Sequence, residues 1–362
     1  SMLPRGGVYI KKRGEEPVLI VSTIDVGNAA RGRVKNIQIY TEYGYEGLLL
    51  EDPQSAPLRL HEHALKRLGV RGAIGLYGRQ SASNTIHLVE GLRALGYNVK
   101  GEGSPTLIDI LRETKSPTEV EQIKNVGMKT VRVVKKILKF LKECDARSGA
   151  LYFEGRVLKV GRVKQLISTL LAEENLIPIG DTIFAVGKGS ADPHYLGEDE
   201  DMVLANQPIV FDIFSQDRNG YCFDCTRTFV IGRASGEVKE MYESVLEVQQ
   251  EALEGLKEGV MVKDIMNTVC EKFERRGYKT LRSLLKGDGE AQVRGFIHSL
   301  GHGVGLSIGE RPHLALHSNY PLRNGHVTTV EPGLYEPGLG GVRLEDVVAI
   351  QGGSAVNLTS LE

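Results

Sequence analysis

The rhythm of hydrophobic and polar positions changes along the chain. Before residue 113, short β-rich runs occur at VYIKK, PVLIVS, NIQIYT and AIGLYG. Between and after them lie two amphipathic stretches, APLRLHEHALKRLG and SASNTIHLVEGLRALG, each ending at glycine. The runs predict strands. The stretches predict helices that stop where glycine can take the left-handed cap. Strands alternating with helices predict a small layered α/β domain over residues 1–112.

The pattern then lengthens. In KSPTEVEQIKNVGMKTVRVVKKILKFLKE, Ser116 is placed to cap a helix, Pro117 takes its first position and Glu119 completes a capping box. Val120, Ile123, Val131, Val134, Leu138 and Leu141 follow at helical spacing. A domain boundary is expected just before this helix, leaving 113–362 as a second domain. Further helical patterns cover 155–174, 236–257 and 262–277. Asp212 and Asp224 flank a turn containing Asn219-Gly220, and Glu331 and Glu345 flank another containing Pro337-Gly338 and Gly340-Gly341. Each pair is expected on two joined strands, with its carboxylates side by side. The second domain is therefore α+β, with a faint internal echo of helices followed by a hairpin.

Composition narrows the class. The chain has 362 residues, 41% hydrophobic and 25% charged, as in an ordinary globular protein. A net charge of −1, with scattered Lys and Arg, gives no field suited to nucleic acid or an anionic membrane. No apolar stretch reaches the length of a membrane span. Ser1 before Met2 reads as a tag remnant with no signal-peptide pattern behind it. Four cysteines make no disulfide framework, so a cytoplasmic setting is expected. Cys222 and Cys225 bracket Asp224, but no second C-x-x-C accompanies them, and two buried cysteines are expected on opposite faces of a strand.

The chemistry gathers late in the chain, in VFDIFSQDRNGYCFDCTRTF, HSLGHGVGL and TTVEPGLYEPGLGGVRLED. These segments hold Asp212, Asp224, His302, Glu331 and Glu345. Four carboxylates and an imidazole form an oxygen-rich donor set suited to two divalent cations. Four negative charges balance two dications; without them, four clustered acids would repel and partly protonate. So loaded, the site could hold a hydroxide between two Lewis acids. Gly301, Gly303 and Gly305 are expected to clear space around His302 for the metal and a substrate.

The order of these residues, with GHGVGL, EPG and GVRLED around the last three, resembles the pita-bread metallopeptidases: methionine aminopeptidase, aminopeptidase P and prolidase. KSPTEVEQI resembles the link between the two domains of the proline-specific branch. The resemblance implies a duplicated catalytic fold around two ions, with Mn²⁺ or Co²⁺ favoured and Zn²⁺ or Fe²⁺ as alternatives. It implies that Asp212 chelates one ion, that His302 and Glu331 bind the other, and that Asp224 and Glu345 bridge both. It implies Xaa-Pro hydrolysis, either of dipeptides or at a peptide's amino terminus, with Glu331 as proton shuttle. His194 resembles the histidine that contacts the scissile peptide, His298 one lining the substrate pocket, and Arg343 a buried arginine beside the bridging carboxylate. A homodimer is implied as well.

Three departures stand out. Gly309 occupies the position, seven after His302, where the family usually has a histidine near the reacting carbonyl, and His313 lies just beyond. Asp212 and Asp224 are one residue further apart than usual, with Phe214 where glycine is common. The first domain looks short at its start. The alternative reading is a catalytically weak or inactive relative that binds peptide or protein.

Overall fold

The computed structural model describes residues 6–285 and 294–361. The chain packs as two compact units, Ser1–Ile108 and Asp109–Glu362. The division falls four residues before the boundary expected from the helix start.

In the first unit, Val18–Val21 runs antiparallel to Val8–Ile10 and parallel to Asn36–Ile39. A separate parallel pair joins Ala73–Gly75 to Asn98–Lys100, a short run that gave no sequence signal. The two amphipathic stretches form helices Ala56–Arg67 and Ala82–Ala94. Their apolar faces supply Leu60 and Ala64 to a core with Ile20 and Tyr43, and Leu65 and Leu92 to a second one with Val99. The unit is α/β, as its alternating pattern requires.

The second unit opens with α1 (Pro117–Lys142), whose capping box closes as expected: the Ser116 hydroxyl accepts from Glu119 N–H, and Glu119 accepts from Ser116 N–H. Val120, Ile123, Val126, Val134, Ile137 and Leu141 are buried along one face. At Gly127 a side chain would collide with the Phe223 ring, so the missing Cβ lets the helix seat on the sheet. The next helix, α2 (Val160–Glu173), begins later than the pattern over 155–174 suggested. The chain first reverses at Glu154-Gly155, both with positive φ, and lays down the short strand Arg156–Val157. A three-stranded antiparallel ladder over Asp145–Arg147, Ala150–Phe153 and Arg156–Val157 results.

Two sheets carry the site. The first is β1 (Ile183–Val186), β2 (Pro208–Gln216) and β3 (Cys222–Val230), all antiparallel. Helices α3 (Gly236–Gly255) and α4 (Val262–Arg275) follow. The second sheet uses β4 (Gly301–Val304), β5 (Ile308–Leu314), β6 (Val327–Val330), β9 (Asp346–Gln351) and β10 (Ser354–Asn357), in spatial order β5-β4-β6-β9-β10. A two-stranded ribbon, β7 (Gly333–Glu336) and β8 (Gly340–Arg343), completes the set. Two hydrophobic cores divide the unit: one gathers α1, α2 and the β2–β3 hairpin, the other α3, α4 and the strands around β6. The faint echo in the sequence is thus a repeated packing scheme, two helices on a hairpin, used twice.

Candidate metal centre

The first hairpin presents its acids diagonally. Asp212 on β2 pairs with Thr226, and Asp224 on β3 pairs with Phe214. All four side chains therefore share one face, with the carboxylates two rungs apart rather than directly opposite. The ladder runs unbroken from Pro208↔Val230 to Gln216↔Cys222. The extra residue between the two acids is absorbed in the turn, where Asp217 N–H donates to Tyr221 O at 3.0 Å.

The second pair is built differently. Val330↔Asp346 in the β6–β9 ladder and Gly333↔Arg343 in the β7–β8 ribbon keep one register across a break. Glu331 and Glu345 stand opposite each other in that break. Proline follows Glu331 and offers no N–H to the ladder. The two glutamate backbones turn outward instead. Glu331 N–H donates to Leu300 O at 2.8 Å, and Glu345 N–H donates to Thr226 O at 3.1 Å. The break thereby ties the Glu331–Glu345 pair to the strands of His302 and of Asp224.

The donors converge. His302 Nε2 lies 3.3 Å from Glu331 Oε1 and 3.6 Å from Asp224 Oδ2. Asp224, His302 and Glu345 each offer an atom, all within 4.8 Å of one another, in a geometry that could hold a metal ion. Asp212 Oδ1, Asp224 Oδ1 and Glu345 Oε1 are buried with no protein hydrogen-bond partner. Buried carboxylate oxygens left unpaired are costly, and a cation among them would satisfy all three. The electrostatics agree. Burial, followed by the charges of Glu345, Asp212 and Glu331, pushes Asp224 well above the usual carboxylate range. Burial, then Glu331 and Asp212, pushes Glu345 up likewise, against the opposing pull of the Thr226 hydrogen bond and Arg343. Metal-free, the cluster is proton-hungry, and dications remove that penalty.

Supporting contacts came from residues that the sequence did not single out. Thr226, two beyond Asp224, donates to Glu345 Oε2 at 2.8 Å. Thr329, two before Glu331, donates to Glu331 Oε1 at 2.9 Å and accepts from His302 N–H at 2.9 Å. The strand period of two was the available signal: each threonine shares a face with its acid. Tyr335, fully buried, accepts from Arg343 Nη1 at 2.9 Å and sits 3.0 Å from His298 Nε2. Arg343 reaches from there to Asp212 Oδ2 at 2.7 Å and to Pro193 O at 3.2 Å. His194, next to Pro193, is exposed. The other nitrogen of His298 meets Ser299 O at 2.7 Å, and burial holds that ring below the usual histidine range.

The glycines around His302 need a different explanation from the expected one. A side chain at Gly301 would strike Thr329 O, one at Gly303 would strike Arg311 O, and one at Gly305 would strike the Glu310 carboxylate. They permit neighbouring strands to pack against β4. His302 Nδ1 lies 3.2 Å from Gly303 O and 3.3 Å from Gly309 N, which orients the ring. Cys222 and Cys225 are both buried, and burial raises both thiols, Cys222 to about 11. Neither is a ready nucleophile.

Comparison with known proteins agrees with this geometry. Residues 121–352 match the model of metallopeptidase family M24. The chain is 30% identical over 327 residues to the Xaa-Pro dipeptidase of Pyrococcus furiosus, covering 87% of this chain and 88% of that protein. Among solved structures, it superposes on the prolidase from Pyrococcus furiosus with a TM-score of 0.75 at 28% identity, covering 99% of this chain and 90% of that one. It superposes on the X-Pro aminopeptidase from Thermotoga maritima with a TM-score of 0.74 at 26% identity, covering 96% and 87% respectively. Sequence order, the twofold packing scheme and the convergent acids lead to one assignment: the chain belongs to metallopeptidase family M24.

Proposed function

We propose that the protein is a dinuclear metallopeptidase that cleaves the bond between an amino-terminal residue and a following proline. The observation that carries the metal reading is the set of three orphaned carboxylate oxygens, on Asp212, Asp224 and Glu345, beside an imidazole. Similarity to an Xaa-Pro dipeptidase and an X-Pro aminopeptidase supports the proline reading. In this reading Asp212 would hold one ion, His302 and Glu331 the other, and Asp224 and Glu345 would be shared by both. Such ions would lower the pKa of water and polarise the scissile carbonyl. Mn²⁺ or Co²⁺ suits this donor set, with Zn²⁺ or Fe²⁺ as alternatives.

The chain's own residues have distinct tasks. Glu331, held by Thr329, takes the proton from water and delivers it to the departing proline nitrogen. Arg343 fixes one oxygen of Asp212, leaving the other for the cation. His298, backed by Tyr335, lines the proline pocket, and His194 contacts the scissile peptide. The rival reading as a binding module has no support in a site whose donors are all present and convergent. Among the described residues no helix is long and apolar enough to cross a membrane. Resemblance supports a homodimer, and cysteine usage supports a cytoplasmic setting.

The test pairs elemental analysis after reconstitution with hydrolysis of Ala-Pro and Ala-Ala in Mn²⁺ or Co²⁺. Bound divalent metal and faster cleavage of Ala-Pro are expected. Absence of metal would refute the dinuclear reading, and equal cleavage of Ala-Ala would refute proline specificity.

A further inference from the structure

The histidines around the centre differ in how far their rings are committed. His302 faces two carboxylates through Nε2 and the backbone of Gly303 and Gly309 through Nδ1. His298 uses both nitrogens, on Ser299 and Tyr335. His326, fully buried, accepts from Arg323 N–H and faces Glu113. His313 is half-buried on β5, and among the described residues its ring makes no hydrogen bond.

Its backbone, by contrast, is tightly held. The Tyr320 hydroxyl accepts from His313 N–H at 2.7 Å and donates to His313 O at 3.3 Å. The residues before it are held as well: Arg311 pairs with Glu113 at 3.2 Å and stacks over the Tyr320 ring at 4.2 Å, and Pro312 is buried. Pro312 and Leu314 are buried while His313 between them is half-buried, so the ring emerges on the side away from the core. The β4–β5 ladder shifts register between Gly301 and Gly303, and His302 and His313 lie on its two strands at that irregularity. Alongside, nothing lies within 4 Å of the place a Cβ would occupy on Gly309, so there is open space at this edge.

We propose that His313 is a catalytic residue that donates a ring N–H to the carbonyl oxygen of the scissile bond as negative charge develops there. The proposal rests on the proline-specific reading above. An anchored backbone carrying an uncommitted ring beside His302 is the arrangement such a donor needs: fixed in position, with its hydrogen bond unspent. Burial, then the neighbouring His302, Arg311 and His317, hold the ring below the usual histidine range, with Glu113 acting the other way. At neutral pH the ring is uncharged, and one nitrogen carries the N–H.

The full chain, reconstituted with Mn²⁺, tests this with Ala-Pro. His313→Ala should lower kcat by about 10²-fold, as for loss of one such donor. KM should stay within about threefold, since the bond forms in the transition state. His313→Gln, which keeps an N–H, should recover much of that loss. Metal content and thermal melts should match the parent. A second readout is independent of turnover. In Zn²⁺-loaded protein with ¹⁵N-labelled histidine, the His313 ring signal should move on adding a non-hydrolysable phosphinate isostere of Ala-Pro, whose oxygens mimic the developing negative charge, and should not move with an isostere whose scissile carbonyl is reduced to CH₂. If His313→Ala does not fold, the Gln variant and the ring signal decide. Turnover in the parent with an unaffected Ala variant, or a ring signal indifferent to the phosphinate, would overturn this proposal alone. No turnover in metal-loaded parent would overturn the proline-specific reading and this proposal with it.

Discussion

Arg343 donates from Nη2 to Asp212 Oδ2 at 2.7 Å, while Asp212 Oδ1 has no protein partner. The guanidinium is itself fixed by Tyr335 and by Pro193 O. One carboxylate oxygen is thereby spent on the guanidinium and the other left unpaired. Arg343→Lys loses the planar fork that spans Asp212, Tyr335 and Pro193 at once. Metal affinity or activity should fall by about 10–100-fold, as for other residues that orient a metal ligand. Metal titration followed by fluorescence or calorimetry checks this, and unchanged affinity with unchanged kcat would remove Arg343 from the site.

The stability of the protein should depend on pH and on metal together. Asp224 and Glu345 are held well above the usual carboxylate range, first by burial and then by neighbouring acids. In metal-free protein the folded state keeps protons that the unfolded chain releases above about pH 4. The folded pKa exceeds the unfolded one, so these groups destabilise the fold increasingly as pH rises through that interval. A bound dication displaces the protons and abolishes the penalty. Thermal melts with and without Mn²⁺ should therefore show a larger metal-induced rise in Tm at about pH 8 than at about pH 5.5. An equal rise at both would contradict the assignment.

Gly309 has φ of +78°, with open space where a Cβ would stand. A Cβ there would meet no neighbour, but the residue would sit in the left-handed region. Gly309→His should cost about 1–2 kcal/mol, read as a lower Tm. Gly309→Ala should cost a similar amount, because the strain belongs to the backbone. A His variant as stable as the parent would mean that this turn relaxes.

Behind His302 lies an ion cluster with a structural task. Lys115 Nζ meets Glu310 Oε1 at 2.7 Å, with the two side chains 4% and 9% exposed, and Arg112 pairs with the other oxygen of Glu310. Removing Glu310 would strand the buried Lys115 charge, whereas removing Lys115 leaves Glu310 paired with Arg112. Glu310→Leu should destabilise by roughly 3–5 kcal/mol, and Lys115→Met by less. Lys115→Met combined with Glu310→Leu should cost less than the sum of the single changes. Chemical denaturation of the three variants gives the coupling, and strict additivity would show that the pair does not act as a unit.

The start of α1 was legible because capping chemistry is local: Ser116, Pro117 and Glu119 lie within one turn of each other. The five metal-binding candidates were legible because each sits on a strand or at its end, in a distinctive string. What escaped was whatever depends on distant pairing. The strand Asn98–Lys100 is only three residues long and gave no signal apart from its parallel partner Ala73–Gly75, which the run AIGLYG did announce. Thr226 and Thr329 look like ordinary strand residues until their register with Glu345 and His302 is known. The packing role of Gly301, Gly303 and Gly305 was missed for the same reason. What presses on them comes from Thr329, Arg311 and Glu310, and no local pattern identifies those neighbours.

That close packing also limits how the protein can be altered. Every second residue of the His302 strand faces a neighbouring backbone or a buried carboxylate with no room for a methyl group. This face is closed to sequence drift and to redesign alike. New substrate preferences, whether reached by natural divergence or by directed evolution, must enter elsewhere along the rim of the centre. The exposed stretch around His194 and the exposed Leu306 lie outside this glycine stripe. Libraries confined to those two places should yield folded, metal-loaded variants far more often than libraries that touch the glycine stripe.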